Sequence, residues 1–386
     1  MAPPRPCLPT DCLFHVFLRL DPVSIVRCAA VSRHWRRAVT DNASEIRRHP
    51  AGRADRCLLL GLHYREMYPG ELGFSRRSSW LPPAGRHWSD GVPAPSRMPE
   101  PEGTEPKLYA PLACGDGLLC RGLPAEISVV NPFTGFHTTI ARPGGLVPYR
   151  YVLHSCHGAQ PNSFQNYSSD TGAWGPVLHP DADDLRVPWC AAPLVCQGAI
   201  HWLCSISNNG PDGDERYFTH TVAVDMTTGR ARMTRLPKQC SMRNEDVADR
   251  KMLMLATSED DRLSLLRREE EASLEVSVWL YVGDHDGGGN PENSWLLRQS
   301  TGIRKLIEDA GLSRFRLGCK GWEVLEIRLE RFCPRSRSVI LWIPYLGLLV
   351  LDPEGRRIQR AADDSHGHIW PYEIDLTLCV CSMKTF

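Results

Sequence analysis

The chain has 386 residues, and its 45 lysines and arginines balance 45 aspartates and glutamates to a formal net charge of zero. Such a balance carries no basic field of the kind that favours nucleic acid or a membrane surface, and neither is expected as a partner. The length suits one small module with one large domain, or two medium ones. Fifteen cysteines are an odd number scattered through a long chain, and the opening MAPPRPCLP lacks the apolar run of a secretory signal. Reduced thiols, mostly buried as small hydrophobes, and a cytoplasmic or nuclear location are therefore expected.

From Leu8 to Val39 the pattern predicts three short amphipathic helices. Thr10 or Asp11 is placed to cap the first by accepting an orphan backbone N–H. Leu13, Val16, Phe17 and Leu20 follow at i, i+3, i+4 and i+7, one apolar stripe. Asp21-Pro22 starts the second helix, with proline at the first helical position, where its missing N–H costs nothing. Val23, Val26, Ala30 and Val31 line its face, with Ile25 and Cys28 beside them. Ser32 caps a third helix that carries Trp35, Ala38 and Val39, and Arg27, Arg33, Arg36 and Arg37 decorate the outside. A unit below about 40 residues rarely buries enough apolar surface to offset its ordering entropy. These helices are expected to share their apolar surface with a partner chain or with the domain that follows.

The same residues resemble the F-box, the motif by which substrate receptors of cullin-RING ubiquitin ligases dock on a Skp-family adaptor. The matching positions are Leu8-Pro9, Asp11, Leu13, Val16, Arg19-Leu20, Pro22, Ile25, Arg27, Val31-Ser32, Trp35 and Arg36-Arg37, in order and without a gap. The resemblance implies that Leu8, Pro9, Leu13, Val16, Leu20, Ile25, Val31 and Trp35 dock the adaptor, and through it a cullin. A helix-turn-helix DNA reader is a rival, with the Trp35 helix as recognition helix, but no polar base-reading set accompanies its arginines.

Residues 1–50 thus form the helical module, with a short helix possible at Ser44–His49, and residues 51–386 form a mainly-β domain. Cys57 to Leu62 has the length and composition of a strand, and almost no sustained 3.6-residue stripe follows it. Short Val/Ile/Leu/Trp runs alternate instead with Gly, Pro, Asn and Asp clusters. Residues 80–107 hold seven prolines and few apolar side chains, and read as an irregular loop inserted into the β domain. Val339 to Leu351, the longest uncharged apolar stretch, is broken by Pro344 and Gly347 and reads as two strands and a turn rather than a membrane span.

A weak repeat sets the expected architecture. Gly117-Leu118-Leu119-Cys120 and Gly198 to Leu203 open strands, while Val129 to Gly135, Tyr167 to Gly172, Val224 to Gly229 and Val350 to Gly355 close strands in turns. Asn or Asp starts each turn through its side chain and Gly supplies the positive φ. Further units are expected at Met252–Leu297, with strands at Leu263–Leu266 and Val276–Val282, and at Trp322–Asp352. Repeated small sheets of this kind suggest a β-propeller, with a large β-sandwich as the alternative. The domain also resembles the propeller-like associated domains of plant F-box proteins. Gly115 to Leu119, Asn131-Pro132, Gly198 to Trp202, Val278-Trp279, Tyr372 to Asp375 and Ser382 to Phe386 carry that likeness.

Motifs that carry chemistry are few, and neither a cofactor nor a metal is expected. There is no C-x-x-C pair; Cys379 and Cys381 share one strand face, and His366 and His368 would need His154 or His157 to bind a metal. No G-x-S-x-G, Walker loop or dinucleotide fingerprint occurs. Gly283 to Asn290, with Asp284 and Asp286, reads as a hairpin loop that lacks the bidentate glutamate of a calcium site. Asp183-Asp184, Asp260-Asp261 and Glu269-Glu270-Glu271 read as solvated turns rather than acid–base pairs. Trp202, Trp279 and Trp342 are expected in the core. Trp80, Trp88, Trp174, Trp189, Trp295 and Trp370 lie in or beside loops, where aromatics serve as recognition anchors.

The chain is therefore expected to be α+β and multidomain, a non-catalytic receptor whose β domain holds an unidentified target protein. An enzyme or small-ligand binder on a propeller scaffold, with the helices as a cap, is the alternative.

Overall fold

The computed structural model describes residues 8–20, 22–42, 45–46, 59–66, 72–76, 111–115, 118–122, 126–131, 136–141, 167–168, 171–176, 185–186, 193–206, 217–243, 251–258, 260–269, 274–283, 294–312, 327–352, 357–362 and 366–373. The proline-rich stretch 80–107 lies outside them. Two compact units emerge: one comprises Met1–Ala141, Cys333–Ser338 and Ser365–Phe386, the other Arg142–Phe332 and Val339–Asp364.

The first unit opens with α1 (Thr10–Phe17), α2 (Pro22–Val31) and α3 (Arg33–Asp41). Pro9 is the N-cap of α1 and no side chain caps it, so neither Thr10 nor Asp11 has the capping role expected. The helix starts one residue early because Leu13 N–H already reaches the Pro9 carbonyl, at 3.1 Å. Asp11 remains in the first turn, where a carboxylate complements the helix dipole. Ser32 does cap α3, its Oγ accepting from Trp35 N–H at 3.3 Å.

These helices enclose a core of their own. Leu13 and Phe17 from α1, Ile25 and Ala29 from α2, Ala38 and Val39 from α3, and Ile46 pack together, with Phe14, Leu18, Leu20, Cys28 and Trp35 partly buried against them. Phe17 meets Trp35 edge-on at 6.0 Å between ring centroids. The buried face of α2 is the Ile25–Ala29 row; Ala30 and Val31, expected on the inner face, point outward. Both faces of α2 are apolar in sequence, and the structure buries the one that carries Ile25 and Ala29.

Strands β1 (Leu59–Glu66) and β2 (Leu72–Arg76) follow as an antiparallel pair. Next, β3 (Pro111–Gly115), β4 (Leu118–Gly122), β5 (Glu126–Asn131) and β6 (Phe136–Ala141) form a four-stranded meander.

The second unit contains a small hairpin, β7 (Tyr167–Ser168) with β8 (Ala173–Trp174), whose Gly172 takes φ +63°. A six-stranded sheet is built from β9 (Leu185–Arg186), β10 (Leu194–Cys196), β11 (Ala199–Ile206), β12 (Tyr217–Asp225), β13 (Ala231–Arg235) and β14 (Met242–Arg243), with β10 to β13 in consecutive order. The β12–β13 connection is the turn the sequence predicts. Asp225 accepts from the amides of Thr227 at 2.9 Å and Thr228 at 2.6 Å, and Gly229 takes φ +71°.

Two further meanders complete the second unit. The first is β15 (Leu253–Thr257), β16 (Leu263–Arg268), β17 (Glu275–Tyr281) and β18 (Trp295–Gly302); a short helix, α4 (Ile303–Asp309), follows it. The other is β19 (Arg328–Cys333), β20 (Ser338–Ile343), β21 (Gly347–Asp352) and β22 (Arg357–Ala362). Opposition of Val339 with Leu351 confirms the predicted two strands and turn. Cores fill the spaces between these sheets: Leu194, Leu203, Phe218, Leu255, Leu265 and Trp295 in one, and Leu266, Ile303, Ile307, Leu341, Leu349 and Ile358 in another. The last strand, β23 (His366–Glu373), returns to the first unit and pairs antiparallel with β1, opposing Leu59 with Glu373 and Leu62 with Pro371.

Candidate functional site

The helical module divides the eight expected docking residues into three groups. Leu13 and Ile25 are fully buried in its core and form the scaffold rather than the surface. Leu20 and Trp35 are half-buried against that core. Leu8, Pro9, Val16 and Val31 face outward, with 53% of Leu8, 40% of Val16 and 70% of Val31 accessible. These four side chains lie on the accessible side of the module, away from its core.

The exposed set is held in place by contacts that the sequence pattern does not reveal. On α1, Pro9, Cys12 and Val16 are spaced by three and four residues, so they share the outward helix face. His34 on α3 donates from Nε2 to the Leu8 carbonyl at 3.0 Å, which ties the segment before α1 to the turn that follows Val31. Arg36 Nε donates to the Ala29 carbonyl at 3.4 Å and braces α2 against α3. Neither bond is visible in the local spacing, because each joins segments that are not neighbours in sequence. Arg19, Arg27, Arg33 and Arg37 surround the module as exposed cations.

Reactive chemistry is sparse in the β strands. Burial pushes the thiols of Cys196, Cys204 and Cys240 up to about 12, with Asp261 adding to the shift at Cys196 and Glu269 opposing Arg267 at Cys240. A thiol held protonated is neither a nucleophile nor a ready metal ligand. His201 and His220 are pushed below the usual imidazole range, chiefly by burial. Among the described residues no three His, Cys, Asp or Glu side chains are grouped to hold a metal ion. His154, His157, Cys379, Cys381, Asp183, Asp184, Asp284 and Asp286 lie outside those residues.

Two expectations are corrected here. Glu269 is not a solvated turn residue: it pairs with Arg267 at 2.7 Å and accepts from Ser277 Oγ at 2.7 Å. Ser277 in turn accepts from the indole of Trp279 at 3.2 Å, so Glu269 closes a chain of polar contacts across β16 and β17. Trp295 is not a loop anchor but a core residue at the start of β18, 5% exposed. Trp202 is buried as expected, whereas Trp279 and Trp342 are half-buried, the latter covered by Arg328 at 4.8 Å from its ring centroid. Trp174 stacks edge-on with Tyr167 and Trp370 is half-buried on β23, while Trp80, Trp88 and Trp189 lie outside the described residues.

The F-box domain model matches residues 6–47, the span that holds this three-helix core. The chain belongs to the family described as a domain of unknown function (DUF7595), whose model matches residues 120–386. The search of curated proteins returns no match. An F-box domain in general marks the substrate-recognition subunit of an SCF-type ubiquitin ligase, and such domains typically bind Skp-family adaptors.

Proposed function

We propose that this protein is a substrate receptor of a cullin-RING ubiquitin ligase, with its helical module on a Skp-family adaptor and its β domain on the target protein. The observation that carries the reading is the separation of roles inside the module. Leu13, Phe17, Ile25 and Ala29 satisfy one another, which leaves Leu8, Pro9, Val16 and Val31 for a second chain. Docking would remove that apolar surface from water, each fully buried aliphatic contributing roughly 1.5–3 kcal/mol. Holding a target beside the ubiquitin-charged enzyme raises the effective concentration of its lysines, so the receptor needs no reaction of its own. Work in the cytoplasm or nucleus suits cysteines that, among the described residues, form no disulfide.

For the β domain we propose a propeller of the kind associated with plant F-box proteins. Support comes from the consecutive four-stranded order of β3–β6, β10–β13, β15–β18 and β19–β22, and from the pairing of β1 with β23, which joins early and late strands in one sheet.

The test is co-expression of the full chain with a Skp-family adaptor, followed by size-exclusion chromatography. The wild type is expected to co-elute, and a Val16→Asp, Val31→Asp double variant with an unchanged unfolding midpoint is expected to elute alone. A wild-type chain that elutes without the adaptor, or a folded double variant that still co-elutes, overturns the reading.

A further inference from the structure

One buried carboxylate in the β strands lacks a role in the adaptor-docking reading. Glu373, the last residue of β23, is 4% exposed. Its Oε1 accepts from Ser336 N–H at 2.6 Å and its Oε2 from Arg335 N–H at 3.1 Å. Both donors lie in the turn between β19 and β20. That turn is itself ordered by buried polar groups: Ser336 and Ser338 are buried, Ser338 N–H donates to Ser336 Oγ at 3.4 Å, and Arg337 takes φ +52°. Cys333–Ser338 also groups with the first unit, apart from the remainder of β19 and β20.

We propose that Glu373 is a clasp that makes β1, β23 and the Cys333–Ser338 turn a single cooperative unit. β23 hydrogen-bonds laterally to β1, and β1 to β2, so the three strands form a narrow sheet at which the chain's early and late segments meet. A two-stranded hairpin is marginal in water, so β1 and β2 gain from the third strand, from the burial of Leu59 and Tyr372, and from whatever ties the end of β23 down. The turn presents two backbone donors to the end of β23, and backbone donors removed from water need a partner. A carboxylate with one oxygen for each amide satisfies both, and these charge-assisted bonds are about twice as strong as neutral ones.

The sequence register supports the same assignment. Glu373 lies opposite Leu59, which is buried, and next to Tyr372, which is fully buried. An acidic residue at an apolar strand end is costly unless paired. Burial pushes the Glu373 carboxyl up, while the Ser336 hydroxyl, the amides of Arg335 and Ser336 and the Arg335 charge pull the other way. A glutamate retained against that cost is accounted for by the turn it grips.

Native-state hydrogen exchange on the full chain tests the clasp. In the wild type, the amides of Arg335 and Ser336 are expected to exchange at the rate of the β1 and β23 amides. In Glu373→Ala, protection in Leu59–Glu66 and His366–Glu373 is expected to fall about tenfold or more, while protection in β15 to β18 is unchanged. Glu373→Asp, which keeps the charge but shortens the reach, is expected to show a smaller fall in the same two strands. Turn amides that exchange freely in the wild type while β23 stays protected overturn the proposal. So does a loss spread evenly over all sheets in the Ala variant, or none at all. Because the wild-type comparison needs no substitution, a variant that fails to fold does not remove the test.

Discussion

The indole Nε1 of Trp295 donates to the carbonyl oxygen of Arg235 at 2.8 Å, across 60 residues of chain. The bond links the start of β18 to the end of β13 and so joins two neighbouring sheets of the second unit. Trp295 also packs its ring at 5.2 Å from that of Tyr281. Trp295→Phe keeps much of the ring contact and leaves the Arg235 carbonyl without this donor. A loss of about 1–2 kcal/mol in chemical denaturation is expected, and a neutral result would show that water replaces the indole.

The helical module makes opposite predictions for residues that the motif treats alike. Leu13→Ala is expected to cost roughly 2–5 kcal/mol, because it opens a cavity among Phe17, Ile25 and Ala38. Val31→Ala is expected to stay within about 0.5 kcal/mol, because its side chain meets solvent. Helix-resolved hydrogen exchange of the adaptor-free chain distinguishes them, and equal losses would show that the module's core is drawn wrongly.

The Asp225 turn supplies a pH dependence. The Thr228 amide, then its hydroxyl at 2.9 Å, then the Thr227 amide hold the Asp225 carboxyl below its ordinary value of 3.8. With the folded value depressed, the stabilisation is present above 3.8 and is lost as pH falls through the folded value. Exchange protection at Thr227 and Thr228 is therefore expected to drop on acidification below about pH 4. In Asp225→Asn, which keeps an acceptor but does not titrate, that drop should vanish; a matching drop in the variant would assign it to another group.

Tyr345 is a conformational liability. Leu346 N–H donates to the Ile343 carbonyl at 3.1 Å, which makes residues 343–346 a tight turn, and Tyr345 occupies its third position at φ +67° with 63% exposure. A bulky residue in the left-handed region costs roughly 1–2 kcal/mol, and Asn tolerates it better. Tyr345→Asn is expected to raise the unfolding midpoint, with a gain of about 0.5 kcal/mol. A clear decrease would mean that the tyrosine ring contributes more than its backbone costs.

How far the sequence could be read differs from one element to another. Val339–Leu351 and the Asp225–Gly229 turn were legible because turn chemistry is local: Pro344, Gly347 and Asp225 act on neighbours within a few residues. The inner face of α2 was not, since Ile25, Ala29, Ala30 and Val31 offer apolar rows on both sides and only packing chooses between them. Helix α4 escaped notice because Ile303, Leu306 and Ile307 fill barely two turns, too short for a periodic stripe. The settings of Trp295 and Glu373 were not legible for a common reason: each is satisfied by backbone groups tens of residues away. The motif treats the eight residues expected to dock alike, and it does not separate those that pack in the helical core from those that face outward.

The partnership of β1 with β23 also bears on how the polypeptide is made. The ribosome releases Leu59–Glu66 about 300 residues before their hydrogen-bonding mates in His366–Glu373 exist. At ordinary elongation speeds that interval is on the order of 15–60 s. For all of it the edge of β1 that β23 will cover stands open, and an open edge is an invitation to the wrong strand. The helices ahead of it need no such wait, since their core closes within the first 46 residues. Folding can therefore begin at the N-terminal helices while the β part is still being synthesised.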